Sequence, residues 1–491
     1  MADRPLTIMQ VSTADVLGGA ERIAWNLFET YRARGHDSYL AVGRKSSGDS
    51  AVLHMANDSA GGRWGRFWWG VHHRMQPRYA RSFLARRLCR AAHRLAEPGG
   101  LIDSWRGIED FRFPGTRQLL DLSPRPPAVV HCHNLHGKYF DLRVLPEHSR
   151  RVPVVLTLHD AWLLAGHCAH SFECERWRAG CGDCPDLSIY PPVRRDVTAF
   201  NWQRKRAIFA ASRLYVATPC RWLMSKVERS MLAPAMVEGR VIPNGVDLTV
   251  FKPADKQAVR RAIGLPADAA ILLFSGYGLR KNPWKDYETI HAAVRQVAQR
   301  HADRGLLFIA LGATGPTEHV AGAEIRLVPF DADARTVARY YQAADIYVHA
   351  ARADTFPNSV LEALACGTPV AATATGGIPE QIKPWPLANG FGPRGATCDE
   401  SSATGLLVPQ CDPSALAAGI VLLLDDDFLR LRMAANAAAD ARSRFGLQRQ
   451  ADAYLNWYTE ILDARELRRE RHTGPVLAAA PENLDATWPP R

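Results

Sequence analysis

Short apolar runs, closed by Gly, Pro or a polar residue, recur along the chain and alternate with longer segments whose apolar positions keep a three-to-four residue spacing. In the first half the runs at 6–11, 128–133, 154–159 and 214–218 predict strands. In the second half, 270–276, 306–311, 325–329, 346–349, 370–373 and 405–409 do the same. Between them Ile23, Ala24, Leu27 and Phe28 share one helical face, and helices are predicted at 222–231, 286–301, 336–344, after Pro357, from Pro413, and over 425–444 and 448–462. Strands that are apolar throughout and separated by helices read as parallel sheets covered on both faces. The pattern is an α/β chain in two similar halves, parted near Val241 to Asp247, with no other internal repeat.

The stretch DTFPNSVLEALACGTPVAATATGG, Asp354 to Gly377, is the most informative. Pro357 suits the first turn of a helix, where a missing N–H costs nothing. Val360, Leu361 and Leu364 face a core, and Gly367 with Pro369 ends the helix. In such a unit ligands gather beyond the strand carboxyl ends. The free N–H groups of Asn358, Ser359 and Val360 suit a phosphate oxygen. Asp354 and Glu362 then flank that anion, and as carboxylates they repel phosphate and suit hydroxyl groups. A phosphate between two polyols describes a nucleotide sugar. The same residues, taken alone, also serve as a helix cap and a dipole complement.

Other chemistry sits at corresponding strand ends. Gly18 and Gly19 follow the first strand and let backbone approach a ligand closely. Arg280, Lys281 and Lys285 precede a helix start, a poor place for cations unless an anion lies between. His133, Asn134 and His136 follow one apolar run, and His159 with Asp160 closes another; a strand-end His also serves a purely structural role. Cys168, Cys174, Cys181 and Cys184 then stand at x5, x6 and x2 spacing, which suits a closed four-thiolate structural zinc site, with His167 and His170 as substitute ligands. Two disulfides or free buried thiols are the alternatives.

Composition changes this picture in one place. The net charge is +11, and the nine arginines between Arg63 and Arg94, with no acid among them, account for most of it. Trp64, Phe67, Trp68 and Trp69 are mixed with them, followed at helical spacing by Phe83, Leu84, Leu88, Ala91 and Leu95. Arg with Trp suits an interface carrying anionic lipid. Packing against the domain is the next reading and RNA binding the last, so no nucleic-acid partner is expected. No apolar run of eighteen residues and no export signal occur, so a cytoplasmic protein is expected, and the basic aromatic stretch leads to the expectation that it lies at the inner face of the membrane.

Acidic residue, seven residues, Glu, then ALACGTPV and GGIPE resembles the donor-site signature of glycosyltransferase family 4, retaining enzymes of the GT-B fold. LTLHDAW and IPNGVD resemble its further landmarks, and the cysteine run resembles that of its exopolysaccharide or colanic-acid-type branch. The resemblance implies two Rossmann-like domains with an interdomain cleft. Residues 1–245 would bind acceptor, including the basic aromatic segment 63–94 and the Cys-rich insertion 167–185. Residues 246–445 would bind a nucleotide diphosphate sugar, 446–465 would cross back, and 466–491 would be a disordered tail. It implies that Asp354 and His159 act on the sugar, Glu362 on the ribose, Gly18, Gly19, Arg280 and Lys285 on the diphosphate, and His133, Asn134 and His136 on the acceptor side. No catalytic cofactor is implied. The implied function is retaining transfer of a hexosyl unit to a saccharide or polyprenyl-linked saccharide in exopolysaccharide, capsule or lipopolysaccharide synthesis. A sugar-nucleotide epimerase of the same fold, and a non-catalytic membrane or RNA-binding protein, are the alternatives.

Overall fold

The computed structural model describes residues 5–473 apart from 17, 58–61, 76–81, 97, 277, 281, 303–304 and 388–398. Lys281, most of the Pro- and Gly-rich insertion at 383–402, and the tail beyond Thr473 lie outside the described residues.

The first sheet consists of β1 (Thr7–Ala14), β2 (Asp37–Arg44), β3 (Val52–His54), β4 (Val129–Cys132), β5 (Val154–Thr157), β6 (Leu214–Thr218) and β7 (Met236–Val241), all parallel, in the order β3-β2-β1-β4-β5-β6-β7. The second consists of β8 (Ala270–Ser275), β9 (Leu306–Leu311), β10 (Glu318–Val320), β11 (Ala323–Val328), β12 (Ile346–His349), β13 (Val370–Thr373) and β14 (Gly405–Val408), in the order β10-β11-β9-β8-β12-β13-β14. Only β10 there is antiparallel. Each is a doubly wound sheet whose strand order reverses beside its first strand, and ligands of such sheets collect at that reversal. Every residue of β4, β5, β8, β9, β12, β13 and β14 is buried, as both-face coverage demands.

Four strands escaped the pattern. β2 mixes Asp37, Ser38 and Arg44 with its apolar residues, and β3 and β10 have three residues each. β7, an edge strand, alternates half-buried and exposed positions along MVEGRV, so nothing in it reads as a core run.

The domains meet through backbone and caps. Glu380 of the second domain accepts from the N–H groups of Arg221 and Trp222, both at 2.8 Å, at the start of the helix Arg221–Val227 in the first. Gly376 has φ +56, and a Cβ there would stand 1.8 Å from the Asp354 carbonyl oxygen; on Gly377 it would stand 2.7 Å from Cys220 Sγ across the interface. Only glycines allow that approach.

After the second domain the chain returns to the first. The helix Leu447–Thr473 runs past Glu466, where a disordered tail was expected to begin. Tyr454, Trp457, Tyr458 and Ile461 are buried against Ile8, Leu27, Val129 and Val155. Its tyrosines complete a buried polar chain. Tyr458 Oη lies 2.6 Å from His131 Nδ1, His131 Nε2 lies 2.6 Å from Thr157 Oγ1, and that hydroxyl lies 2.8 Å from Tyr454 Oη. Burial pushes the His131 pKa down to about 3, so the ring is a neutral link.

The basic stretch forms two helices, Gly62–Met75 and Phe83–Ala96, packed on each other. The small residues Ala85, Cys89, Ala92 and Ala96 face inward. The bulkier stripe points out: Trp64, Phe67, Phe83 and Leu84 are each more than half exposed, and Phe83 reaches 65%. That is the reverse of what packing of those residues against the domain would give.

Trp457 and Tyr458 should therefore be separable by denaturation. Trp457→Ala is expected to cost about 3–5 kcal/mol through the cavity it leaves. Tyr458→Phe is expected to cost about 1–3 kcal/mol by leaving His131 Nδ1 without its hydroxyl. Urea midpoints of the full chain check both.

Candidate functional site

The helix Asn358–Ala365 stands where β12 meets the cleft, with Pro357 as its N-cap (φ −62, ψ 125), one residue earlier than the first-turn placement expected. Asn358 and Ser359 hold the first two helical positions, whose N–H groups have no acceptor within a helix. The Val360 N–H is partly used, donating to the Pro357 carbonyl at 3.2 Å.

Asp354 is the centre of the charge arrangement. Lys285 Nζ lies 2.5 Å from its Oδ2, and His349 Nε2 lies 3.4 Å from the same oxygen. Burial raises the carboxyl pKa, but the Lys285 ammonium and His349 more than offset this and hold it well below the usual range. His349, at the end of β12, is pushed down to about 4 by burial and by Lys285. Neutral and beside a carboxylate, it donates from Nε2, which leaves Nδ1 to accept from Tyr347 Oη at 3.1 Å.

The contacts continue. Tyr347 Oη lies 3.4 Å from Ser275 Oγ, Ser275 Oγ lies 2.5 Å from Tyr341 Oη, and Tyr341 donates to Glu362 Oε2 at 2.9 Å. Because Tyr347 donates to His349 and Ser275 must donate to Tyr341, no proton lies in the 3.4 Å Tyr347–Ser275 contact, and Asp354 and Glu362 rest on two short hydrogen-bonded sets that meet beneath the site. Burial raises the Glu362 pKa, opposed by the Tyr341 hydrogen bond and by Arg22 of the first domain. Arg22, Asn26, Asn358, Leu361 and Glu362 line an open cleft of about 460 Å³, solvent at its mouth included.

Gly18 and Gly19 open the helix Gly19–Ala33 on the opposite wall. The Asn358 side chain binds that wall directly: Nδ2 donates to the Gly19 carbonyl at 3.2 Å, and Oδ1 accepts from Asn244 at 3.1 Å. At the end of β5, His159 Nε2 lies 3.0 Å from His133 Nδ1, and His133 Nε2 lies 3.0 Å from Gln10 Oε1. With the amide oxygen accepting, His133 carries its proton on Nε2 and His159 donates to it, which leaves His159 Nδ1 as an unprotonated base. Burial pushes His159 down to about 4 and His133 well below its usual value. His136 Nε2 pairs with Asp160 Oδ2 at 2.7 Å; burial lowers its pKa but the carboxylate prevails and the net shift is upward. Asn134 offers its carbonyl to Tyr139 at 2.6 Å.

Two expectations change. Arg280 does not join Lys285: its Nη1 bonds Glu318 Oε1 at 2.8 Å on β10, and the side chain is 45% exposed. Cys168, Cys174, Cys181 and Cys184 are free thiols. Among the described residues no three His, Cys, Asp or Glu side chains converge to hold a metal ion, so the cluster as placed does not fit the zinc site expected from its spacing. Two of the thiols meet other groups. Cys181 Sγ accepts from Gly166 N–H at 3.3 Å and Cys184 Sγ meets His167 Nε2 at 3.4 Å. Sequence reasoning missed His349, Tyr341, Tyr347, Ser275 and Arg22. The run IYVH did carry a signal, a His at a strand carboxyl end five residues before the acid.

Residues 269–426, most of the second domain, match the family model for glycosyl transferases group 1. A protein of Escherichia coli named as a colanic acid biosynthesis glycosyl transferase, WcaC, is 30% identical over 260 residues, which cover 50% of this chain and 60% of that one. A D-inositol 3-phosphate glycosyltransferase of Thermobispora bispora is 33% identical over 253 residues, 48% of this chain and 53% of that one. The matches thus span about half to three fifths of those relatives. Among solved structures, HepE of Anabaena in complex with UDP and glucose superposes with a TM-score of 0.56 at 16% identity, over 92% of this chain and 99% of that one. The fold is GT-B.

Replacing Lys285 tests the charge arrangement by its pH dependence. Without the ammonium, burial dominates and lifts the Asp354 pKa above its unfolded value, so the variant's folded state favours the neutral acid. Lys285→Met is expected to cost about 3–5 kcal/mol at pH 7.5, and the deficit should shrink at pH 4.5 as Asp354 takes up its proton. Urea midpoints at the two pH values read this out; an equal deficit at both would contradict it.

Proposed function

We propose that the protein is a retaining glycosyltransferase that moves a hexosyl unit from a nucleotide diphosphate sugar to a saccharide, lipid-linked as in exopolysaccharide, capsule or lipopolysaccharide assembly. The observation that carries this reading is the pair of carboxylates, Asp354 and Glu362, each held by buried polar side chains on either side of a helix N-terminus with Lys285 beside it. That arrangement supports an anion flanked by two hydroxyl-bearing groups. The group 1 match and the names of the relatives support glycosyl transfer.

In this mechanism Lys285 and the N–H groups of Asn358 and Ser359 take the charge of the departing diphosphate. Asp354 accepts from hydroxyls of the sugar, and Glu362 accepts from the ribose. The bond from the sugar's anomeric carbon to the phosphate oxygen breaks while the acceptor oxygen bonds to that carbon on the same face. The acceptor's proton passes to the departing phosphate oxygen. Preorganised positive groups supply most of the acceleration. The ionised state of Asp354 near neutrality serves hydrogen-bond acceptance, not proton donation.

The acceptor reading rests on the outward stripe of the helices Gly62–Met75 and Phe83–Ala96. Trp64, Phe67, Phe83 and Leu84 with Arg86 and Arg87 beside them form an apolar, cationic face that suits anionic lipid. Among the described residues no helix is long and apolar enough to cross a membrane. A surface contact is the form such binding would take.

Two measurements test these readings. Asp354→Ala and Glu362→Ala are each expected to lower the transfer rate by about 10²–10³ while keeping the circular dichroism of the parent; normal rates in both would remove the donor assignment. Arg86→Ala with Arg87→Ala should weaken flotation with vesicles containing phosphatidylserine by about 30-fold, two contributions of about 1 kcal/mol each. Unchanged flotation would remove the membrane assignment.

A further inference from the structure

The cysteine-rich segment follows β5 and reaches the second domain at Trp284. Residues on either side of His170 are tied to the first domain. The Ala161 N–H donates to the Ala169 carbonyl at 2.7 Å, the Ala169 N–H donates to Tyr190 at 2.8 Å, and Lys226 Nζ donates to Ser171 Oγ at 3.1 Å. Beyond this anchor Phe172 adopts φ +45, a left-handed conformation that a bulky side chain rarely takes. Its ring stacks on Trp284 of the second domain, with centroids 5.5 Å apart and planes 22° apart. The His170 ring lies 5.0 Å from the same indole. Strained residues that persist at an interface of this kind mark ligand clamps more often than ordinary turns.

Trp284 is not a free surface ring. Its carbonyl accepts from the Arg352 N–H at 2.9 Å, and the next residue, Lys285, is the partner of Asp354. The segment therefore rests against the same short strip of chain that grips the proposed donor. We infer that His170 contacts the sugar being transferred and positions it against Asp354 from the first-domain side. This rests on the donor lying in the cleft as proposed above.

The chemistry of the ring agrees. Among the described residues, no hydrogen-bond partner meets the His170 nitrogens, whereas His167 is already engaged by Cys184 and Pro191. A neutral imidazole offers one donor and one acceptor, which suits a sugar hydroxyl and gives little to a phosphate. The cysteine segment would then be an arm that carries a sugar-reading side chain, its thiols packing the base of that arm.

The test measures binding of the sugar separately from binding of the nucleotide. Titration calorimetry of the full chain with UDP, GDP, ADP and dTDP hexoses identifies a donor, and the matching bare nucleoside diphosphate gives the reference. His170→Ala is expected to bind the bare diphosphate as the parent does and to bind the sugar nucleotide about tenfold more weakly, the loss of one hydrogen bond. His170→Gln should recover part of that loss. Equal weakening of both ligands would mean a structural role and overturn the inference, as would no weakening at all. A parent protein that binds none of the donors would overturn the cleft reading, and this inference with it.

Discussion

Two short hydrogen-bonded sets that meet beneath the site, Asp354–His349–Tyr347 and Ser275–Tyr341–Glu362, are the constraint around which the second domain's site is arranged. The two carboxylates lie on opposite sides of a helix start, and nothing along the helix itself joins them. What holds them is the polar side chains beneath the site, from the ends of β8 and β12 and from the helix Ala334–Ala343. In a low-dielectric setting such a set is strongly stabilising when every member is satisfied and costly when one is missing. Lys285 sets the balance at one end, because it lets Asp354 stay charged where burial alone would protonate it.

The relation between the domains follows from contacts of a different kind. Glu380 caps a helix of the first domain, Gly376 and Gly377 let backbone approach backbone, and Asn358 links Gly19 to Asn244. These are short, directional contacts, and they place the glycine loop of one domain against the helix start of the other. The cleft between Arg22 and Glu362 is what remains when those contacts are made.

Much of this was legible in the sequence, for physical reasons that also mark where legibility ended. Strands buried on both faces are apolar throughout, so β8, β9, β12 and β13 announced themselves, whereas β2 and β7 carry polar residues and did not. The Asp354 to Glu362 spacing, the two glycines and Glu380 lie close in sequence, and their geometry is local. The partner Arg280 takes, Glu318, was not legible because it is 38 residues away on a strand of three residues. The cysteine spacing gave the number and order of thiols, but the direction of each depends on Gly166, His167 and the turn at Gly182. Likewise the pairing of Phe172 with Trp284 arises only in the fold, from segments far apart in sequence. The outward stripe on Phe83–Ala96 shows a further limit: helical spacing identifies an apolar face without saying whether the domain or something else covers it.

The tyrosines of the last helix bear on the order in which the molecule can be made. His131 and Thr157 belong to strands at the centre of the first sheet, yet the hydroxyls that satisfy them arrive from Tyr458 and Tyr454, about three hundred positions later on the polypeptide. Chains are synthesised from the amino end, and early domains usually fold as they emerge. Here the early domain leaves the ribosome with polar groups in its interior still lacking their native partners. Its final consolidation waits until the helix Leu447–Thr473 has been made, which ties the completion of one half to the presence of the other.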